Sequence, residues 1–597
     1  MCGLIFSVNS NIHDRLQFIR HRGPDSEGFK VTQLLNNELQ YGHKRLAIQD
    51  LTPNGEQPML SISGRFEILF NGEIYNHIEL SQKYGLPENT SDTRALLQLI
   101  DLIGVKNTVS ELNGMFALLV VDNSTATVFA ARDRFGVKPL YYRYDAEEQT
   151  IEIGSELKIF RTPVPLDLKL GLKSIYGLRC FPGNQTQFSD VNKVEPGQII
   201  ALDLHSWNMR SEYFYKPKMS VVKTEEAERR NALYTAVERQ LISDVPVGIL
   251  LSGGIDSALL AKIVVDLGVE PQCFCVGYDP KHSASELDLA EKTADYFNLG
   301  LTKIVVTEEQ ILDKLTEVFR IIEGPTATTS VFPMYFLAEG VSKTHKVVLS
   351  GQGVDEMDFG YSRYRLDQLY LRHGKMLGPF AKFLVMLGCL LPAYARQALG
   401  SISQKDLLRY YALSRAASKF NFSESNVIEN REFSRVFAAF TNDGWADLGN
   451  NLGYLDMRIG LAEDLLMYTD KIMMAHSVEA RVPYLDNDYF NVCMQQSSSL
   501  KCSFTKNKLL HKNLATKLLP ADMVNRKKLG FEVPLFSWLS GDLGIELINK
   551  IRKYDQFPFI SELEQSLKKI KDGKDYSKEF LILLSYGLNV VQGDISQ

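Results

Sequence analysis

The chain has no excess of positive charge, no long uninterrupted apolar run and no paired cysteine framework, and each absence removes a class of function. Its 597 residues carry 66 Lys and Arg against 72 Asp and Glu, for a net charge of −6. That balance gives no footing for general binding of nucleic acid or of an anionic membrane. The seven cysteines, at 2, 180, 273, 275, 389, 493 and 502, show no spacing that reads as a disulfide scaffold or a zinc site. They suit a reducing cytoplasm. The longest apolar stretch, Met376 to Leu399, is broken by Lys382 and Arg396 and lacks the run of about 20 apolar residues that a membrane span needs. Buried or interface-forming helices are expected there. Internal repeats, low-complexity tracts and a Gly-Lys-Ser or Gly-Lys-Thr phosphate loop are also missing. What remains, at 45% hydrophobic and 23% charged residues, is a globular composition, in a chain longer than one core supports, so two or more domains are expected.

Against that background Cys2 stands out, directly behind Met1 and before Gly3. Removal of Met1 alone, with no signal peptide, would put a thiol and a free α-amine on one residue. An ordinary thiol has a pKa of about 8.5 and an α-amine about 8, so the amine can serve as the thiol's base, directly or through water. Polar segments follow where a bland domain would be apolar: Arg20 to Asp25, His43 to Ile48, Asn71 to Asn76, Ser91 to Thr93 and Ala131 to Leu140. A nucleophile that opens a side-chain amide needs oxyanion donors and a way to hold a zwitterion. Asn71 and Gly72 are the candidate donors beside the catalytic Cys2, Arg45 suits the substrate carboxylate, and Glu73 and Asp92 suit its ammonium. In this order from Cys2, the segments resemble the class II glutamine amidotransferase domain. The resemblance implies an N-terminal-nucleophile (Ntn) hydrolase αββα sandwich that converts glutamine to glutamate and ammonia. Short β-like runs at Phe66 to Phe70, Phe116 to Val121 and Gln198 to Leu202 suit such a layered domain. We expect it to occupy 1–205, with a docked, aromatic linker ending near Pro217.

A second pattern begins after the linker. Val245 to Leu251 reads as a strand, Ser252-Gly253-Gly254-Ile255-Asp256-Ser257 as a loop, and Ala258 to Asp266 as a helix. Small residues between a strand and a helix start let backbone N–H groups face a phosphate, and Asp256 suits magnesium. This loop resembles that of the ATP pyrophosphatases, which transfer adenylyl groups. Cys273 to Tyr278, Leu301 to Val306 and Lys346 to Leu349 read as further strands, with a helix from Ser283 to Phe297. Together they predict a doubly wound parallel α/β sheet with its ligand at the carboxyl ends. The last strand runs into Ser350-Gly351-Gln352-Gly353-Val354-Asp355-Glu356, where Asp355 can share a magnesium with Asp256.

Tyr468 to Asp486 and Lys506 to Phe536 are dense blocks that, with the N-terminal motifs, resemble the glutamine-dependent asparagine synthetase family over most of the chain. The likeness is weakest in a helical segment of about 365–453 within an expected synthetase domain of 218–597. It implies that Leu250 and Val276 contact adenosine, and that Ser252, Gly254, Ser257, Ser350 and Gly351 contact ATP. It also implies that Lys471 and either Lys506 or Lys508 neutralise phosphates; Lys506 is the one assigned. The implied reaction joins two half-reactions, an acyl-adenylate formed from Mg-ATP and ammonia delivered through an internal tunnel, in a possible homodimer. One position departs: Gln352 stands where the family carries an acidic residue, and an amide cannot act as a base near neutrality. Val354 and Met357-Asp358-Phe359 also depart. The acceptor is therefore either aspartate or another carboxylate, such as a uronic acid sugar nucleotide. A regulatory or binding homologue without synthetase chemistry is the third reading.

Overall fold

The computed structural model describes residues 2–592 apart from 88–90, 218–220, 223, 279–285, 387–391, 418–426, 442–446, 527–532 and 555–556. Twelve strands build its first part: β1 Cys2–Val8, β2 Ser26–Leu34, β3 Asn37–Arg45, β4 Met59–Leu60, β5 Phe66–Ile74 and β6 Gly114–Asp122. They continue with β7 Thr127–Arg132, β8 Tyr141–Asp145, β9 Thr150–Gly154, β10 Asn192–Lys193, β11 Gln198–Asp203 and β12 Asn208–Tyr213. One six-stranded sheet has the order β10-β8-β9-β1-β3-β2 and the other β12-β11-β7-β6-β5-β4.

The alternation of side chains along each strand sorts the layers. In β1, Leu4, Phe6 and Val8 meet Leu69, Leu119 and Val121 between the sheets, while Ile5 turns outward against Ile12, Leu16 and Ile19. In β5, Phe66, Ile68 and Phe70 pack outward on Leu96, Leu99 and Ile100 of helix α1, Asp92–Ile103. Odd-numbered Asn71 and Glu73 share the parity of Leu69, which puts them on the inner side, toward β1. The result is the αββα sandwich.

Beyond it lies a five-stranded sheet made of β13 Val247–Leu250, β14 Cys273–Tyr278, β15 Leu301–Val306, β16 Val347–Leu349 and β17 Glu479–Arg481. Its order is β15-β14-β13-β16-β17, and every pairing is parallel. The order reverses at β13, so the crevice between β13 and β16 is the switch point at which such sheets bind ligands. Helix α2, Ile255–Asp266, starts directly after the β13 loop, three residues earlier than expected from Ala258. Helix α3 begins at Leu287; residues 283–285 of the expected helix, and 527–532 of the dense C-terminal block, lie outside the described residues. Further helices include α4 Glu308–Ile322, α5 Ser362–Met386, α6 Ala393–Ile402, α7 Leu466–Ala475, which packs on β17, and α8 Leu509–Thr516.

Of the two readings of Met376 to Leu399, buried or interface-forming helices, burial is corrected for its large apolar side chains, and residues 387–391 lie outside the described residues. Met376, Phe380, Phe383, Met386 and Tyr394 are 58–80% exposed, because α5 packs on α6 and leaves its other face to solvent. Among the described residues no helix is long and apolar enough to cross a membrane.

Candidate active sites

Cys2 opens β1 opposite Arg45 of β3. Its backbone N–H donates to Asn71 Oδ1 at 3.0 Å, so a residue on β5 grips the end of β1. Asn71 Nδ2 is buried and has no hydrogen-bond partner among the described residues, which leaves the amide nitrogen as a fixed donor. Burial pushes the Cys2 thiol up, but His43 and the chain's amino terminus outweigh it and lower the thiol to about 7. The sequence reading gives His43 no role, and its place two residues before Arg45 on β3 is the available signal. Gly72 is required by packing, since a Cβ there would lie 2.0 Å from the Met115 carbonyl oxygen of β6.

The acids meant for an ammonium are both buried. Glu73 Oε2 accepts from Gln49 Nε2 at 2.6 Å, and Asp92 Oδ2 accepts from the Ile74 N–H at 2.9 Å. Burial, then Glu479 and Asp92, push the Glu73 carboxyl well above its ordinary range; burial raises Asp92 too. A cation held between them would relieve that cost. Arg45 donates to the backbone carbonyls of Thr52 at 2.7 Å, Gln49 at 3.4 Å and Asp50, so its guanidinium shapes the 49–52 loop that borders Glu73.

A cleft of about 240 Å³ opens at the carboxyl ends of β13, β14 and β16. Leu250 and Val276 give it an apolar wall, and Ser252, Ser257, Ser350 and Gly351 line its polar side. The Ser252 and Ser257 hydroxyls are 3.0 Å apart. Gly253 and Gly254 do not line the cleft; their N–H groups hold the loop, donating to Glu286 Oε2 at 3.2 Å and to Ser252 Oγ at 3.2 Å. Asp256 and Asp355 face each other across one ammonium, with Lys508 Nζ 2.6 Å from Asp256 Oδ2 and 2.7 Å from Asp355 Oδ1. Burial works against that charge, yet the two carboxylates hold Lys508 above its ordinary value. The lysine of the acidic pair is thus Lys508, whereas Lys506 is exposed.

Lys471 lines an adjoining cavity instead of the cleft. Its Nζ lies 2.8 Å from Glu323 Oε2 and donates to the Ile322 carbonyl at 3.1 Å. Gln352 does line the cleft; its Nε2 donates to Thr469 Oγ1 at 2.9 Å. So does Glu356, whose carboxyl accepts from the Tyr361 hydroxyl at 3.1 Å and is pushed up to about 7 by burial and by Asp355. The sequence reading passed over Glu356, although it adjoins Asp355 in the same loop.

Comparison with known proteins gives the family. Residues 1–215 match the family model of the glutamine amidotransferase domain, and residues 228–560 match that of asparagine synthase. The chain is 31% identical to glutamine-hydrolysing asparagine synthetase 1 of Bacillus subtilis, over 93% of this chain and 90% of that protein. It is 25% identical to amidase chry2 of Gibberella zeae over 92% and 88% of the two chains. Amidase chyE of Penicillium rubens is 30% identical over 61% and 56%. The chain therefore belongs to the glutamine-dependent asparagine synthase family and is a ligase that takes its nitrogen from glutamine.

Proposed function

We propose that the chain amidates a carboxylate by way of an acyl-adenylate, with Cys2 releasing the ammonia from glutamine and ATP supplying the activation. The observation that carries this reading is the cleft at the sheet's switch point, where Asp256 and Asp355 share one cation beside the Ser252–Ser257 loop.

In the first half-reaction the Cys2 thiolate attacks the glutamine side-chain carbonyl and ammonia leaves. Asn71 Nδ2 and the Gly72 N–H stabilise the oxyanion, Glu73 and Asp92 hold the ammonium, and Arg45 faces the carboxylate. Water then hydrolyses the glutamyl thioester. In the second, an acceptor carboxylate oxygen attacks the α-phosphorus of ATP and pyrophosphate leaves. Ammonia displaces AMP from the acyl carbon, giving the amide. Leu250 and Val276 hold adenosine, while Lys508 and Lys471 neutralise phosphate charge. Asp256 and Asp355 fit magnesium, since their carboxylates already enclose a positive charge and such ions take one or two carboxylates plus phosphate oxygens. Magnesium bound there would offset charge on the departing pyrophosphate. Water must be excluded throughout, because it would consume the adenylate. We place the two activities in units of 1–205 and 218–597.

Aspartate is the acceptor that the name of the Bacillus subtilis relative supports. A second reading, a carboxylate without an ammonium such as a uronic acid sugar nucleotide, is favoured by Gln352, whose neutral amide sits in the cleft and offers an ammonium no ion pair. The experiment is mass spectrometry of products from aspartate, glutamate, uronic acids and their nucleotides, each with ATP, magnesium and glutamine. An amide product with AMP supports the reading, and its absence from every acceptor, with no AMP formed, refutes it.

A further inference from the structure

A closed circuit of charged side chains joins the carbonyl of Cys2 to Lys471. Arg22 is fully buried; its Nε donates to the Cys2 carbonyl at 3.2 Å, one terminal nitrogen to Glu156 Oε1 at 2.9 Å and the other to Asp470 Oδ2 at 2.7 Å. The next residue on α7, Lys471, pairs with Glu323 Oε2 at 2.8 Å. Glu323, at the end of α4 with φ of +52°, accepts from the backbone N–H of Leu157 at 2.9 Å and of Lys158 at 2.8 Å. Those two residues follow Glu156, and Lys158 Nζ returns to Glu156 Oε2 at 2.5 Å. The circuit crosses between the amidotransferase and synthase segments twice, at Arg22–Asp470 and at Glu323–Leu157.

We propose that Glu323 is a positioning residue that couples the two half-reactions, holding Lys471 outside the nucleotide cleft until a phosphate draws it in. This rests on the phosphate role proposed for Lys471. A buried carboxylate does not lose its cation without a response from its other partners. With Lys471 withdrawn, the Glu323 charge is left with the Leu157 and Lys158 N–H groups, and charge-assisted bonds to them strengthen. That tightens the 156–158 segment, hence Glu156 on Arg22, hence the grip of Arg22 on the Cys2 carbonyl. Nucleotide binding therefore raises the competence of Cys2, so ammonia is released when an adenylate can form to receive it.

The test measures glutamine hydrolysis by the full chain with and without α,β-methylene-ATP and magnesium, in the wild type, Glu323→Gln and Lys158→Met. The nucleotide is expected to raise kcat/KM for glutamine about fivefold or more in the wild type, the lower end of ordinary coupling between sites. That ratio should collapse toward one in Glu323→Gln and fall partway in Lys158→Met. Because the readout is a ratio within each protein, a general loss of activity does not imitate it. A wild type that ignores the nucleotide, or an undiminished ratio in Glu323→Gln, overturns the proposal. Should Glu323→Gln fail to fold, Lys158→Met, altered at a partly exposed side chain, decides on the same criterion. Failure of the adenylate reading shows instead in the product analysis, since the methylene analogue is not cleaved.

Discussion

The backbone N–H of Cys2 donates to Asn71 Oδ1 at 3.0 Å, and this one bond fixes which end of the Asn71 amide is left to act. Only the nitrogen remains, buried and without a partner among the described residues. Asn71→Asp keeps the shape and the bond from Cys2 but removes the donor. Glutamine hydrolysis should lose about 10² to 10³ in kcat, the range for one oxyanion donor, while amide formation from ammonium persists. Steady-state kinetics with each nitrogen source checks it, and a loss in both would mean that Asn71 acts on the fold.

Burial raises the Cys2 thiol and His43 lowers it, which gives glutamine hydrolysis a pH profile. The thiolate is the attacking form, so kcat/KM for glutamine should rise with pH through the titration of the thiol and then level off. His43→Asn removes a group that lowers the thiol. The acid limb should then move to higher pH; a limb that moves down or stays would exclude His43 as the cause.

At the cleft, Asp256→Asn removes one of the two carboxylates that enclose Lys508. Acceptor-dependent pyrophosphate release should fall by about a hundredfold or more, a magnitude typical of lost charge stabilisation, with glutamine hydrolysis spared. Cys2→Ala should give the mirror image, abolishing glutamine use and sparing synthesis from ammonium. Coupled pyrophosphate and glutamate assays on both variants read the two effects, and unchanged pyrophosphate output in Asp256→Asn removes the assignment.

Gln352→Glu discriminates the acceptors. If aspartate is native, the new carboxylate beside Thr469 should leave asparagine formation level or higher. If the native acceptor lacks an ammonium, the same change should lower its amidation, as repulsion between two carboxylates predicts. Competition between aspartate and a uronic acid nucleotide in one reaction, read by mass spectrometry, separates the outcomes.

Much of the parallel sheet was legible because its strands are short apolar runs between turn residues: Cys273–Tyr278 and Leu301–Val306 match the structure residue for residue. The strand Glu479–Arg481 was not. Its two charges do not announce a strand, and they lie buried at the sheet's end because Glu479 and Arg481 pair with each other and Arg481 also donates to the Gln240 and Ile242 carbonyls. Lys506 and Lys508 are equal by residue type, and only the structure sets Lys508 against Asp256 and Asp355. Lys508 takes a left-handed φ of +55° at the start of α8, a backbone turn that no side-chain pattern announces. The circuit through Glu323 was invisible because its partners are scattered along the chain from Arg22 to Lys471, and residue types alone do not say which buried charges meet.

The acyl-adenylate is tested most directly by oxygen transfer. The acceptor identified by product analysis, labelled with ¹⁸O in its carboxylate, is incubated with ATP, magnesium and glutamine, and the nucleotide is examined by mass spectrometry. Attack at the α-phosphorus predicts one labelled oxygen in AMP and none in pyrophosphate. ADP with label in orthophosphate would show attack at the γ-phosphorus and contradict the account.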